Sequence, residues 1–141
     1  MPTSMIFASM WSLSGASSVD EGVTYTLTLG AITDPGTDTV TLWRVHWGDG
    51  STNDYGAGGD VTHIYADGPA SPVITVDLTD EDGTHLNAGS RPVTVNNLPP
   101  TAAFGWQPTS PDEYKAVQFT DASTSTVDEI VSWHWDLGGA R

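Results

Sequence analysis

The residues best suited to chemistry fall in two short acidic stretches, VHWGDGST at 45–52 and LTDEDGTH at 78–85. Carboxylates on glycine turns offer the hard oxygen ligands that calcium takes. Serine, histidine and aspartate together are the ingredients of nucleophilic hydrolysis. Neither pattern is complete. Asp80-Glu81-Asp82-Gly83 lacks the further acidic positions and the closing glutamate of an EF-hand loop, and no serine sits in a nucleophile-elbow sequence. His46, His63, His85 and His134 have no metal-ligand spacing, which predicts structural or neutral roles for all four. In Trp47-Gly48-Asp49-Gly50, glycine admits positive φ and aspartate caps its own turn, so the stretch reads as a tight connection between two strands. No catalytic constellation and no cofactor-binding motif emerges.

The elements that must position these residues are β-strands. In VTYTLTLG, Val23, Tyr25, Leu27 and Leu29 share one face and threonines share the other; in LWRVHWG, Trp43, Val45 and Trp47 oppose Arg44 and His46. DVTHIY, PVITVDLTD and RPVTVNN continue the alternation, each run closed by turn chemistry such as DPGTD, GAGG, ADGPASP or DEDG. Short strands at this spacing predict an all-β fold, a β-sandwich. Its expected core is Tyr25, Leu27, Trp47, Tyr65, Ile74, Val76 and Val95, which share an inward phase.

Antiparallel threading reverses direction at every strand, so alternate loops gather at one end. The loop carrying Asp34 and Asp38 then meets the loop carrying Asp80, Glu81 and Asp82, while Asp20, Glu21, Asp49 and Asp67 gather at the opposite end. Two readings stand for the first group: a calcium site formed by Asp34, Asp38, Asp80 and Asp82, or an acidic solvated surface.

Composition bounds the partners. The 141 residues suffice for one ordinary domain, or a small one plus part of another. Eighteen Asp and Glu against four Lys and Arg give a net charge of -14. Arg44, Arg91, Lys115 and Arg141 form no stripe, which argues against nucleic acid. No apolar run is long enough to insert in a membrane. Six Trp, four Tyr and three Phe supply the buriable area of a folded chain, and without cysteine there is no disulfide or thiolate chemistry. The opening MPTSMIFASMWSLSGASS has a serine-interrupted apolar patch with no preceding cation and does not read as a signal peptide.

Asn96-Asn97-Leu98-Pro99-Pro100 breaks the alternation, because consecutive prolines cannot donate to a ladder. The pattern then restarts. Glu113 in PDEYKAVQFTDAS aligns with Glu21, and Trp135 in VSWHWDLGG with Trp47, a period of roughly ninety residues. The predicted organisation is an N-terminal segment at 1–13, a sandwich at 14–97, a linker at 98–100 and a partial second sandwich at 101–141. The second copy stops after its third strand, which leaves Phe104, Val117, Phe119, Val131, Trp133 and Trp135 without later strands to cover them and open to self-association.

Trp47-Gly48-Asp49-Gly50, His63-Ile64-Tyr65, Asp80-Glu81-Asp82-Gly83, Val93-Thr94-Val95-Asn96 and Pro99-Pro100, in that order, resemble the polycystic kidney disease (PKD) domain of bacterial and archaeal surface or secreted proteins. The second copy departs from the family's W-D-F-G-D-G, having Trp135-Asp136-Leu137-Gly138-Gly139-Ala140. The resemblance implies an Ig-like antiparallel β-sandwich that serves as a non-catalytic structural or adhesion module, extracellular or at the cell surface, repeated in tandem and joined to neighbouring domains or other surface proteins. The competing expectation is a polysaccharide- or matrix-binding accessory domain of a secreted hydrolase, which needs Trp11, Trp106 or Tyr55 exposed on a sheet face.

Overall fold

Alternating threonines and large apolar residues in 24–29 leave the chain one way to bury its apolar face, against a second sheet. A computed structural model describes residues 11–31 and 39–139, which include strands and turns but no helix. The chain divides into two units, Met1–Asn97 and Leu98–Arg141. Asp34 and Asp38 lie outside the described residues.

The first unit contains β1 (Leu13–Gly15), β2 (Ser18–Asp20), β3 (Thr24–Leu29), β4 (Leu42–His46), β5 (Thr52–Tyr55), β6 (Gly59–Ile64), β7 (Val73–Asp80), β8 (Gly83–Pro92) and β9 (Thr94–Asn96). One sheet has the order β1-β3-β6 and the other β5-β4-β7-β8, all antiparallel; a third, parallel pair joins β2 to β9. Between the sheets lie Tyr25, Leu27, Leu29 and Val61 from one side and Trp43, Val45, Ile74, Val76 and Leu78 from the other. Trp11, Trp47, Tyr65, Val93 and Val95 complete the same cluster. All seven residues expected in the core are buried, and each fully buried aliphatic side chain contributes about 1.5–3 kcal/mol of transfer free energy.

The sandwich also takes in Trp11. Its ring lies on Gly89, where an added Cβ would come within 2.5 Å of the indole, and its Nε1 donates to Ala88 O at 3.3 Å. That carbonyl is available because β7 and β8 slip register: Val76 pairs with Gly89 but Leu78 with His85, so Leu86, Asn87 and Ala88 stand against Asp77 alone. Asn87 takes the left-handed conformation (φ 51°), and its amide donates to Asp77 Oδ1 at 2.8 Å.

Two details differ from the expected strands. THLNAGS has no apolar alternation, yet it forms most of β8, because the ladder to β7 supplies what side-chain burial does not. RPVTVNN is not one strand. Pro92 has no N–H and closes β8; Val93 N then donates to Pro72 O at 3.0 Å, and Thr94–Asn96 leaves to pair with β2.

In the second unit, β10 (Phe104–Gln107) pairs antiparallel with β11 (Gln118–Asp121), extended by a Thr101–Thr124 bridge. No described side chain of this unit is buried.

Candidate functional site

The question raised by WGDG has a structural answer. Trp47 leaves β4 fully buried, with its Nε1 donating to Asn53 Oδ1 at 2.8 Å and its amide to Ser51 O at 3.0 Å. Gly48 and Gly50 turn the chain at φ of 85° and 94°. Asp49 closes the turn on itself: Oδ1 accepts the Ser51 amide at 2.9 Å and hydroxyl at 2.5 Å. Its Oδ2 lies 2.6 Å from His63 Nε2.

His63 is in turn stacked on Trp47, with ring centroids 4.7 Å apart and planes at 10°, and meets Tyr65 edge-on at 4.7 Å. Tyr65 donates to Trp47 O at 2.9 Å. Here the carboxylate stands between hydroxyl and imidazole. In a hydrolytic triad the imidazole stands between the other two, so this Ser-His-Asp set is built as a turn clamp.

Burial pushes the Asp49 carboxyl up, but the Ser51 hydroxyl, the Ser51 amide and His63 outweigh it and hold the group at about 2. Burial, helped by the Asp49 charge, raises the Tyr65 phenol. An unfolded aspartate titrates near 4, so Asp49 stabilises the fold fully above about pH 4, and that contribution disappears as pH falls towards 2. With the side chain one-third exposed, the screened gain is about 1–2 kcal/mol. Denaturant melts are expected to show Asp49→Asn less stable by about that amount near neutrality, with the difference shrinking towards zero near pH 2. A difference independent of pH would mean that the carboxylate's charge is not what the clamp uses.

Two other histidines have carboxylate partners that no sequence spacing announces. On the outer face of the β5-β4-β7-β8 sheet, His46 Nε2 lies 2.8 Å from Asp77 Oδ2, beside an exposed Arg44–Asp54 pair. Burial raises the Asp77 carboxyl, but the Asn87 amide and His46 together bring it below its ordinary value. His85 Nε2 lies 2.8 Å from Asp80 Oδ2. His46 is on the solvent side of its strand, as its phase predicts, but pinned across it; His134 is exposed in the second unit.

Among the expected calcium ligands, Asp80 is buried and Asp82 exposed. Asp80 Oδ1 accepts the Asp82 and Gly83 amides at 2.9 and 3.0 Å, which leaves Oδ2 to His85. The loops do meet: Thr39 N donates to Glu81 Oε2 at 2.9 Å and Thr41 N to Thr79 O at 2.8 Å. At the opposite end, Asp20 Oδ1 accepts Asn96 Nδ2 at 2.9 Å, and the fully buried Glu21 accepts the Gly68 amide at 2.5 Å.

Of the aromatic residues expected to form a docking platform, Trp11 is in the core, Tyr55 packs against that core half-buried, and Trp106 is exposed. The second unit has a trough of about 520 Å³ lined by Phe104, Phe119, Ile130, Trp133, Trp135 and Leu137 among others. Trp135 sits 5.5 Å from Phe104 and 6.0 Å from Phe119, centroid to centroid. The Ser123 hydroxyl and amide hold the Asp121 carboxyl at its rim below the ordinary range.

No protein-family model and no curated protein matches the chain. Among solved structures it is similar to the PKD domain of an M14-like peptidase from Thermoplasmatales archaeon SCGC AB-540-F20. The two are 25% identical with a TM-score of 0.47, over 61% of this chain and 92% of that one.

Proposed function

We propose that the chain is a non-catalytic, PKD-like structural or adhesion module, repeated in tandem within a larger extracellular or cell-surface protein and joined to its neighbouring domains. The observation that carries this reading is a repeated strand pairing. In the first unit Leu13 pairs with Leu29 and Gly15 with Leu27; in the second, Phe104 pairs with Asp121 and Trp106 with Phe119. Leu27 and Phe119 are the residues six beyond the aligned Glu21 and Glu113, so each unit pairs this strand antiparallel with the one before it, the partner of Phe119 falling one residue before the position equivalent to Gly15. A chain that repeats its framework while spending its Ser, His and Asp residues on turn clamps is built to span and connect.

The second reading, a polysaccharide-binding accessory domain, is favoured by the exposed Trp106, Trp133 and Trp135. Incubation with insoluble cellulose and chitin separates the two. The structural module stays in the supernatant. Retention that is lost in a Trp133→Ala, Trp135→Ala variant would move the assignment to the accessory reading.

Calcium stabilisation at Asp34, Asp38, Asp80 and Asp82 is part of the same proposal, and its support is the meeting of the two acidic loops through Thr39 and Glu81. An ion bound only by the folded state raises the melting midpoint by mass action. The midpoint is expected to be higher in millimolar calcium than in chelator, and Asp82→Asn, which spares the buried Asp80 turn, is expected to abolish the rise. Equal midpoints in the two conditions would remove calcium from the proposal.

A further inference from the structure

Three acidic side chains are buried among the described residues, Glu21, Asp77 and Asp80, and a buried carboxyl must recover in hydrogen bonds what it loses in hydration. Two of them use an oxygen in the same way. Glu21 Oε2 accepts the Gly68 amide at 2.5 Å, and Asp80 Oδ1 accepts the Gly83 amide at 3.0 Å. Each of those glycines follows an aspartate. The sequence has three Asp-Gly steps, Asp49-Gly50, Asp67-Gly68 and Asp82-Gly83, all in the first unit.

Asp-Gly is the step at which a peptide backbone isomerises most readily, because no Cβ hinders the glycine nitrogen. That nitrogen gives up its proton and attacks Cγ of the preceding aspartic acid. The N–Cγ bond forms, the Cγ–OH bond breaks and water leaves, closing a succinimide. Water then opens the ring at either carbonyl; opening at the original backbone carbonyl leaves isoaspartate, with the chain running through the side chain and one methylene longer. The reaction needs a neutral carboxylic acid, a removable amide proton and a side chain free to swing onto the next nitrogen. The fold cannot dispense with these glycines: Gly50 and Gly83 have φ of 94° and 134°, and a Cβ on Gly68 would lie 3.0 Å from Asn96 C and O.

We infer that the fold guards all three steps against isomerisation, and that Glu21 and Asp80 do so at two of them by holding the amide that would attack. A proton donated to a carboxylate is harder to remove, since the amide anion would face a negative charge at hydrogen-bond distance. Asp67 and Asp82 are themselves exposed, so the guard acts on the nitrogen. At Asp49 it acts on the carboxyl instead. Oδ1 is held by the Ser51 amide and hydroxyl and Oδ2 by His63. Against the effect of burial, these contacts keep the group at about 2. Above about pH 4 the neutral acid is then roughly a hundredfold scarcer than for an ordinary aspartate. Isomerisation at Asp82 would lengthen the turn between β7 and β8, and at Asp49 it would undo the clamp on Trp47. The guards therefore set how long the unit keeps its fold in water, whether or not it is one of a tandem array.

The test ages the full chain for several weeks in warm, mildly acidic buffer with chelator, beside a sample unfolded in urea. Peptide mapping with electron-transfer fragmentation, which distinguishes isoaspartate from aspartate, counts the product at each site. Isoaspartate at positions 49, 67 and 82 is expected to accumulate at least about tenfold more slowly in the folded chain. Glu21→Gln is expected to raise it about tenfold at Asp67 alone, and Asp80→Asn about tenfold at Asp82 alone, the effect of losing one hydrogen bond to a charged group. Ser51→Ala is expected to raise it several-fold at Asp49 alone. Each variant is first checked for a cooperative melt; where Glu21→Gln or Asp80→Asn does not fold, Ser51→Ala, which alters only an exposed turn bond, decides.

Equal rates in the folded and unfolded chain overturn the inference. So do folded variants that age like the parent, and folded variants in which all three sites rise together, since general opening and not a local guard would then control the reaction.

Discussion

Replacing Trp47 with alanine is expected to lower the free energy of unfolding by about 3–5 kcal/mol, the range for deleting a large aromatic side chain from a packed core. The ring is fully buried, so the substitution removes its transfer free energy and leaves a cavity that the rigid sheets on either side close only in part. It also leaves Asn53 Oδ1 without the indole donor at 2.8 Å and strips His63 of the ring on which it stacks. The clamp therefore loosens together with the core. In a denaturant melt the midpoint falls while the slope, which tracks the surface exposed on unfolding, stays the same. A loss below about 1 kcal/mol would show that Trp47 is not the centre of the cluster. Trp47→Phe keeps most of the packing but not the Asn53 bond, and is expected to cost less than half as much, about 1–2 kcal/mol.

One residue further on, Gly48→Ala is expected to cost about 3 kcal/mol or more, although it adds a single methyl group. Gly48 sits at φ 85°, and a Cβ there would lie 2.7 Å from Val73 O and 2.8 Å from Val73 N. Left-handed backbone alone costs an alanine about 1–2 kcal/mol. The remainder comes from the clash, because both atoms it meets are backbone at the start of β7 and cannot swing away as a flexible side chain would. Gly50→Ala is the internal control: its φ is 94°, but nothing lies within 4 Å of the added methyl. Only the conformational cost applies there. Parallel melts of the two variants separate the contributions, and equal losses would mean that β7 yields to the methyl without cost.

The WGDG turn holds β4 against β7 through Gly48, and holds β6 through Asp49 and His63.

Much of this was legible in the residues themselves. Period-two alternation in VTYTLTL and LWRVHW assigns the inward faces of β3 and β4, because a strand points successive side chains to opposite sides whatever surrounds it. The Asp-Gly pair marks the turn after Trp47 for an equally local reason, the freedom of glycine at positive φ and the reach of a short carboxylate. The proposed second copy rests on a pattern in the sequence, Glu113 and Trp135 echoing Glu21 and Trp47. Other features belong to the tertiary structure alone. β8 forms from THLNAGS, whose side chains lack a strand pattern, since a backbone ladder to β7 needs only amides and carbonyls. The pairs His46–Asp77, His63–Asp49 and His85–Asp80 arise from how strands and a hairpin lie beside one another, and residues as far apart as 46 and 77 meet by no rule of local spacing. Asp80 reads in the sequence as a carboxylate on an acidic turn, but that its oxygens meet two amides and the His85 imidazole is decided by folding. Local steric preference is written in neighbouring residues and survives in isolation; the partner of a buried charge is decided only when distant segments exclude water around it and leave it one place to find hydrogen bonds.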